Sequence, residues 1–294
     1  MTPAGPRALI VTVYGAYARQ IGGWIAVADL ITLMAPLGVD EQSVRSSISR
    51  LKQRDVLEPE RRGQVAGYAL TDWGRQLVAA GDQRILLRRP PARLSDGWLL
   101  AVFSVPETER RQRHQLRTRL SWLGFGAVAA GVWVAPSHVL GEAREVLARH
   151  GLDRYVTFFR AEYLPAPDGR PGSDERAAVA AWWDLDALHT AYAEFIAEHE
   201  PTSRRTPHTD QDAFTNYTRA LTSWRRLPYL DPRLPAETLP RHWNGERAAD
   251  VFFGIKELLA DPALRHVREV TSRRYAGNPP PLTPSVREAT SRRR

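Results

Sequence analysis

The sequence predicts an α+β fold in three successive parts. Three observations carry this: an opening stretch of helical periodicity that closes in a basic hairpin, a middle stretch whose apolar runs order as strand, helix, strand, strand, helix, strand, and a closing stretch of amphipathic helices. Its 294 residues fit two or three domains, at about 100 to 200 residues per domain. With 43% hydrophobic and 25% charged residues the composition is that of a folded globular chain, neither disordered nor collagenous. The absence of cysteine excludes a disulfide scaffold and any thiolate metal site, and suits a reducing cytoplasm, the expected localisation.

In the first part, Ala8 to Ala18 reads as an apolar helix ended by Gly22-Gly23. Trp24 to Met34 reads as a second helix, with Val27, Leu30, Ile31 and Met34 at helical spacing. Pro36-Leu37-Gly38-Val39 makes a short turn. Asp40 is then placed to cap a third helix, with Glu41 favourably sited in its first turn. Val44, Ile48 and Leu51 recur at i, i+4 and i+7 and must face inward. The opposite face holds Gln42, Ser46, Ser49 and Gln53, flanked by Ser43, Arg45 and Arg50, with no glutamate beyond the first turn. A merely solvated helix would mix Glu with Lys at i, i+4. Val56 to Glu60 and Gly67 to Leu70 follow as two short strands joined by a basic loop, Arg61-Arg62-Gly63-Gln64-Val65-Ala66. Thr71 caps a further helix running to about Arg88.

Two helices joined by a tight turn and followed by a basic hairpin make a winged helix-turn-helix. The third helix is narrow enough for a DNA major groove, and the hairpin can grip a neighbouring phosphate or minor-groove edge. The expected DNA contacts are therefore Gln42, Ser43, Arg45, Ser46, Ser49 and Arg50 on the helix and Arg61, Arg62 and Gln64 on the wing. Winged helices also bind proteins, and on that alternative Arg61-Arg62 is only a solvated turn.

The middle part opens after Pro90-Pro91. Trp98 to Ser104 is a buried strand, Glu107 to Trp122 a strongly basic helix, Phe125 to Val128 with Gly131 to Ala135 a hairpin, Leu140 to His150 a helix and Tyr155 to Tyr163 a last strand. This βαββαβ order is the ferredoxin-like pattern, an antiparallel sheet with two helices on one face. The uncharged run Leu120 to Gly141 could span a membrane by length, but its glycines and Pro136 make it strand, turn, strand, so no membrane partner is expected. Arg110, Arg111, Arg113, Arg117 and Arg119 wrap the basic helix and could serve DNA, an acidic ligand or solvent alone.

A linker from Pro165 to Gly172 leads to the third part, where helices are expected over Ala180 to Glu198, Ala213 to Arg226 and Ala248 to Ala260, with Asp184 as a cap. From Gly277 to Arg294 there is no periodicity, and the segment reads as a disordered basic tail. The domain map is thus 1–90 for DNA binding, 91–165 for the ferredoxin-like domain, 172–275 for a helical effector and dimerisation domain, and 276–294 for the tail.

Charge placement sharpens this map. The net charge of +8 rests on 39 arginines and two lysines, Lys52 and Lys256, a bias that a GC-rich genome also produces. Residues 1–89 carry 12 basic and 8 acidic side chains, whereas residues 171–264 carry 10 and 15, so the excess lies on the front of the chain and its end. Chemistry is sparse. The eight histidines show no metal-binding spacing, and neither a phosphate loop nor a G-x-S-x-G elbow is present. No catalytic residue, metal ligand or cofactor is expected, and the chain reads as a non-enzyme. Most of the nine tryptophans should be packing residues.

Four strings carry a family resemblance: Ala8-Leu9-Ile10-Val11-Thr12-Val13-Tyr14-Gly15; Leu37-Gly38-Val39 leading into Val44-Arg45-Ser46; Trp122-Leu123-Gly124-Phe125-Gly126 followed by Gly131-Val132-Trp133-Val134; and Trp224-Arg225-Arg226-Leu227-Pro228-Tyr229-Leu230-Asp231-Pro232, the most specific. From about Arg7 to Val270 the chain resembles the PaaX family of bacterial repressors, named for control of phenylacetic acid degradation. The resemblance implies a winged helix-turn-helix, a central domain similar to the Cas2 nuclease fold, a helical effector domain, and a homodimer that binds an imperfectly palindromic double-stranded operator. It further implies release by an aryl-CoA thioester, typically phenylacetyl-CoA, and hence a catabolic operon. Such an effector needs cations for its phosphates and an apolar slot, for which Arg225, Arg226, Trp122, Trp133, Trp183 and Trp224 are the candidates. Cas2-type nucleases carry an aspartate at the end of the first strand, where this chain has Ser104. A metal-dependent nuclease and a protein-binding scaffold are the alternative functions.

Overall fold

The computed structural model describes residues 4–88, 90, 92–164, 174–204, 207 and 209–272. The linker 165–172 and the tail 276–294 lie outside the described residues. The chain forms two compact units: one gathers Thr2–Gln83, Pro201–Ser223 and Phe252–Arg294, the other Arg84–Glu200 and Trp224–Val251.

In the first unit the elements run α1 (Pro6–Ala16), β1 (Trp24–Ala26), α2 (Val27–Met34), α3 (Glu41–Gln53), β2 (Leu57–Arg62), β3 (Val65–Leu70) and α4 (Asp72–Ile85), whose last turn belongs to the second unit. Strands β1, β3 and β2 form an antiparallel sheet in that order. The single helix expected over Trp24 to Met34 is therefore wrong in its first turn. Trp24, Ile25 and Ala26 are all buried, and a short run buried on every side has no periodicity to tell strand from helix. What decides is pairing: Trp24 sits opposite Ala69 and donates its indole N–H to the Glu60 carbonyl at 3.0 Å. Gly67 makes this approach possible, since a Cβ there would lie 2.3 Å from the Trp24 ring. The hairpin turn is tighter than expected, with Gly63 at φ +60° supplying the left-handed residue.

The same unit contains α9 (Asp210–Trp224) up to Ser223 and α11 (Gly245–Ser272) from Phe252 onward. Both helices begin before their expected starts, and α11 also runs well past its expected end. α9 completes the core around α1: Tyr17 shares a hydrogen bond with Thr218 (3.0 Å), Thr222 donates to Thr12 (2.8 Å), and the Tyr17 and Phe214 rings lie 5.5 Å apart; α11 packs on α9, with His266 5.4 Å from the Phe214 ring. Ile10, Val13, Tyr14 and Tyr17 are consequently almost wholly buried.

The second unit holds β4 (Trp98–Phe103), α5 (Arg110–Trp122), β5 (Gly126–Ala129), β6 (Val132–Pro136), α6 (Leu140–Arg149) and β7 (Val156–Ala161). The sheet order β5-β6-β4-β7, antiparallel throughout, is that of the ferredoxin-like fold expected from the sequence. Leu116 and Leu120 of α5 and Ala143 and Leu147 of α6 bury against Leu99, Ala101, Trp133 and Ala135 on one face. On the other face Trp98 and Val134 pack with Val179, Leu185 and Leu234.

Here α7 (Glu175–Trp182) and α8 (Leu185–Ser203) replace the single helix expected over Ala180 to Glu198. Trp183 takes an extended conformation, and Asp184 restarts the helix by accepting the Ala187 N–H at 3.0 Å. Gly126 lets this break settle on the sheet, because a Cβ there would lie 2.8 Å from the Trp182 carbonyl and the Trp183 ring. A short α10 (Leu227–Leu230) follows α9. Among the described residues no helix is long and apolar enough to cross a membrane, and no group of three or more His, Cys, Asp or Glu could hold a metal ion.

Candidate nucleic-acid interface

The geometry of α3 begins at its cap. Asp40 accepts the Ser43 N–H at 2.8 Å and the Ser43 hydroxyl at 2.7 Å. The Ser43 N–H, then its hydroxyl, hold the Asp40 carboxyl below the usual range. Val44, Ser47, Ile48 and Leu51 are buried, which fixes the rotation of the helix and turns Gln42, Arg45, Ser46, Ser49 and Arg50 to solvent. Arg45 is held by Glu41 at 2.7 Å, an exposed i, i+4 pair that contributes little and exchanges readily. Arg50 has no ion pair among the described residues. Ser46 donates to the Ser43 carbonyl at 3.1 Å, and Ser43 is committed to the cap.

The wing separates its two arginines. Arg61 and Gln64 are exposed at the tip, where Arg61 reaches the Gln64 carbonyl at 3.3 Å. Arg62 instead turns inward: it bridges Glu60 (2.8 Å) and the Gly22 carbonyl (3.1 Å) and lies 5.0 Å from the centroid of the Trp24 ring. Its guanidinium ties the wing to the loop before β1. Trp24 is thus a residue of the site that sequence reasoning missed, and the signal for it was the arginine and tryptophan brought together only by β1 pairing.

The candidate effector residues all fall around the second unit, without converging on a single enclosed cavity. Trp133 (8% exposed) lies in the sheet core and Trp224 (5%) donates its N–H to the Ile85 carbonyl at 2.9 Å. Trp183 stacks on Trp98 with ring centroids 6.0 Å apart and donates to the Gly124 carbonyl at 3.0 Å. Trp122 is 45% exposed and lies 5.8 Å from the Tyr229 ring. Arg84 lies against both rings, 5.7 Å from the Trp122 centroid and 5.0 Å from that of Tyr229, and also donates to the Pro228 carbonyl at 3.0 Å and pairs with Glu142 at 3.2 Å. Asp231, half-buried, accepts from the Tyr192 hydroxyl and the Arg233 N–H, each at 2.6 Å; burial of its carboxyl pushes it up against these opposing bonds. Arg225 is half-buried with no hydrogen-bond or ion-pair partner among the described residues, and burial draws its guanidinium down, opposed by Tyr229 and aided by Arg226. Arg226 is exposed.

Ser104 lines a cavity of 670 Å³ with Arg113 and Arg117, and no carboxylate lines it. The site a Cas2-type metal would need is therefore cationic here.

Comparison with known proteins agrees with this layout. Three family models match in order: "PaaX-like protein" over residues 5–74, "PaaX protein central Cas2-like domain" over 91–173 and "PaaX-like protein C-terminal domain" over 183–269. The chain is similar to the transcriptional repressor PaaX of Escherichia coli K12, with 30% identity over 91% of this chain and 84% of that protein. An uncharacterized protein from Mycobacterium tuberculosis has a similar fold, at a TM-score of 0.59 and 21% identity over 91% of this chain and 99% of that one.

Proposed function

The chain belongs to the PaaX family of transcriptional repressors, and from that premise we propose that it is a ligand-responsive repressor whose α3 and wing tip read operator DNA. The observation that supports this most is the solvent face of α3, where Gln42, Arg45, Ser46, Ser49 and Arg50 stand exposed beside Arg61 and Gln64, with no acid beyond Glu41. Arginine, glutamine and serine at such positions can donate to base edges and phosphates together. Ser43 and Arg62, also expected on this interface, act chiefly by holding the helix cap and the wing in place.

On this reading residues 1–90 bind DNA, 91–165 form the central domain and 172–275 serve effector binding and dimerisation. A homodimer presents two copies of α3 to half-sites about one DNA turn apart, so the operator is an imperfect palindrome. The effector is an aryl-CoA thioester such as phenylacetyl-CoA, the regulated genes are catabolic and the protein acts in the cytoplasm without a cofactor. Because residues 171–264 are net acidic, a CoA-like anion cannot be drawn by the overall field and needs local arginines, of which Arg225 and Arg226 are the candidates, with Trp122 as an exposed aromatic surface. Release requires that the effector bind the DNA-free and DNA-bound geometries unequally. A nuclease role is disfavoured by Ser104 and the arginine-lined, carboxylate-free cavity around it.

A mobility-shift titration on the chain's own upstream DNA, repeated with free aromatic acids and their CoA thioesters, tests the reading. Retardation of that fragment and its release by one thioester are expected. Binding to no fragment, or cleavage abolished by a chelator, would overturn it.

A further inference from the structure

We infer that the outer face of α5 is a second binding surface for the sugar–phosphate backbone of duplex DNA, resting on the reading of the chain as a DNA-binding protein. From Arg110 to Trp122 this helix carries five arginines and His114 and no acidic residue. Leu116 and Leu120 sink into the core and fix its rotation, which leaves Arg110, Arg111, His114, Arg117, Thr118 and Ser121 outward, all of them polar, with Trp122 exposed at the helix's end.

Only Arg113 is neutralised, by Glu107 at 2.8 Å, while it also donates to the Val105 carbonyl at 2.9 Å. Arg110, Arg111, Arg117 and Arg119 have no ion pair among the described residues. Several exposed helix arginines elsewhere arrive with an acid, Arg149 with Glu145, Arg247 with Glu200 and Arg265 with Asp210, whereas, among the described residues, four of the five on α5 do not. On the neighbouring α6, Arg149 pairs with Glu145, and Glu142 pairs with Arg84.

The helix stands between two hollows that its own cations line. One, of 270 Å³, is walled by His114, Gln115, Thr118, Arg119 and His150 over Leu152; the other, of 670 Å³, receives Arg113 and Arg117 beside Ser104. Guanidinium, imidazole, hydroxyl and amide groups without a carboxylate suit an oxyanion. A small anion would call for cations converging on one point, yet here they spread over two helical turns, about 10 Å, and along both flanks. An extended polyanion meets that spacing. An anionic membrane fits less well, because the one exposed apolar side chain of the helix, Trp122 in its last turn, lies against the Tyr229 ring and Arg84, and the other outward positions are polar.

The test compares the full chain with R110Q/R111Q/R117Q, three substitutions on the outer face that leave the core untouched. Each is titrated at several salt concentrations against a duplex from the chain's own upstream region and an unrelated duplex. The triple variant should bind both duplexes more weakly by a similar factor, and the slope of log K against log salt should fall by about 0.9 for each phosphate that is no longer neutralised. R110K/R111K/R117K should restore slope and affinity, since a backbone phosphate accepts any point charge. An unchanged slope in the triple variant, while Arg50→Ala still weakens operator binding, overturns the α5 surface and leaves the role of α3 standing. Failure of the lysine variant to restore the slope, or stronger binding to acidic vesicles than to DNA, also overturns it. A chain that binds no duplex at any salt concentration overturns both.

Discussion

Arginine does opposite work in two regions of this molecule. On α3 and the wing tip, Arg45, Arg50 and Arg61 lie in solvent on a surface fixed by the buried residues behind them. Around the segment Trp224 to Arg233, two cations are withdrawn from solvent while Arg226 stays exposed: Arg84 is 14% exposed, 5.0 Å from the Tyr229 centroid, and Arg225 is half-buried. The first region spends no stability on its charges and keeps them available. In the second, Arg84 locks the fold through Pro228, Glu142 and two rings, and only Arg225 and Arg226 are left for a ligand. Burial, rather than residue type, separates a binding arginine from a structural one.

The sharpest way to break this contrast is Trp224→Ala. Removing a buried indole that packs on Phe195, 5.5 Å away, should destabilise the fold by about 3 to 5 kcal/mol in denaturant unfolding. If unfolding is unchanged and only the effector response disappears, Trp224 is a ligand residue instead. Next comes Arg84→Ala, which gives up two cation–π interactions, the bond to Pro228 and the pair with Glu142. It should cost about 2 to 3 kcal/mol of stability, again read by unfolding, and leave DNA affinity of the folded chain unaltered.

On the exposed side the effects move to binding. Arg45→Ala and Arg50→Ala should each weaken operator binding by about 1 to 3 kcal/mol with no shift in melting temperature. Arg61→Ala should weaken all duplexes about equally and lower the salt slope by about 1, whereas Arg62→Ala should loosen the wing, seen as faster amide exchange in β2 and β3.

The smallest effect concerns Asp40. Its lowered carboxyl makes the cap stabilising above the ordinary aspartate range, and that contribution fades as pH falls through the lowered value. The melting-temperature gap between wild type and Asp40→Ala should therefore narrow from neutral to strongly acidic pH. A gap that widens in acid would contradict the cap.

Much of this architecture was legible because it rests on local signals. Periodicity placed α3, a capping aspartate placed its start, and the order of apolar runs placed the ferredoxin-like sheet. What escaped depends on distant partners. Trp24-Ile25-Ala26 becomes a strand only because β3 lies beside it, and Trp183 breaks a helix only because the sheet at Gly126 receives it. Likewise, that α9 closes the core around α1 follows from pairs such as Tyr17 with Thr218, 201 positions apart and invisible to any window. At the site, the face of α3 could be read from its wheel, but the inward turn of Arg62 could not, since its partners Gly22 and Trp24 come from another part of the chain.

Operator titration of the Arg50→Ala chain, at a temperature where it is fully folded, bears most directly on the claim that α3 reads DNA through its exposed arginines. Affinity for the upstream duplex should fall about 5- to 150-fold, as removal of one arginine–base interaction of about 1 to 3 kcal/mol requires, with selectivity over an unrelated duplex reduced and the melting temperature unchanged. Wild-type affinity and selectivity in that variant would contradict it.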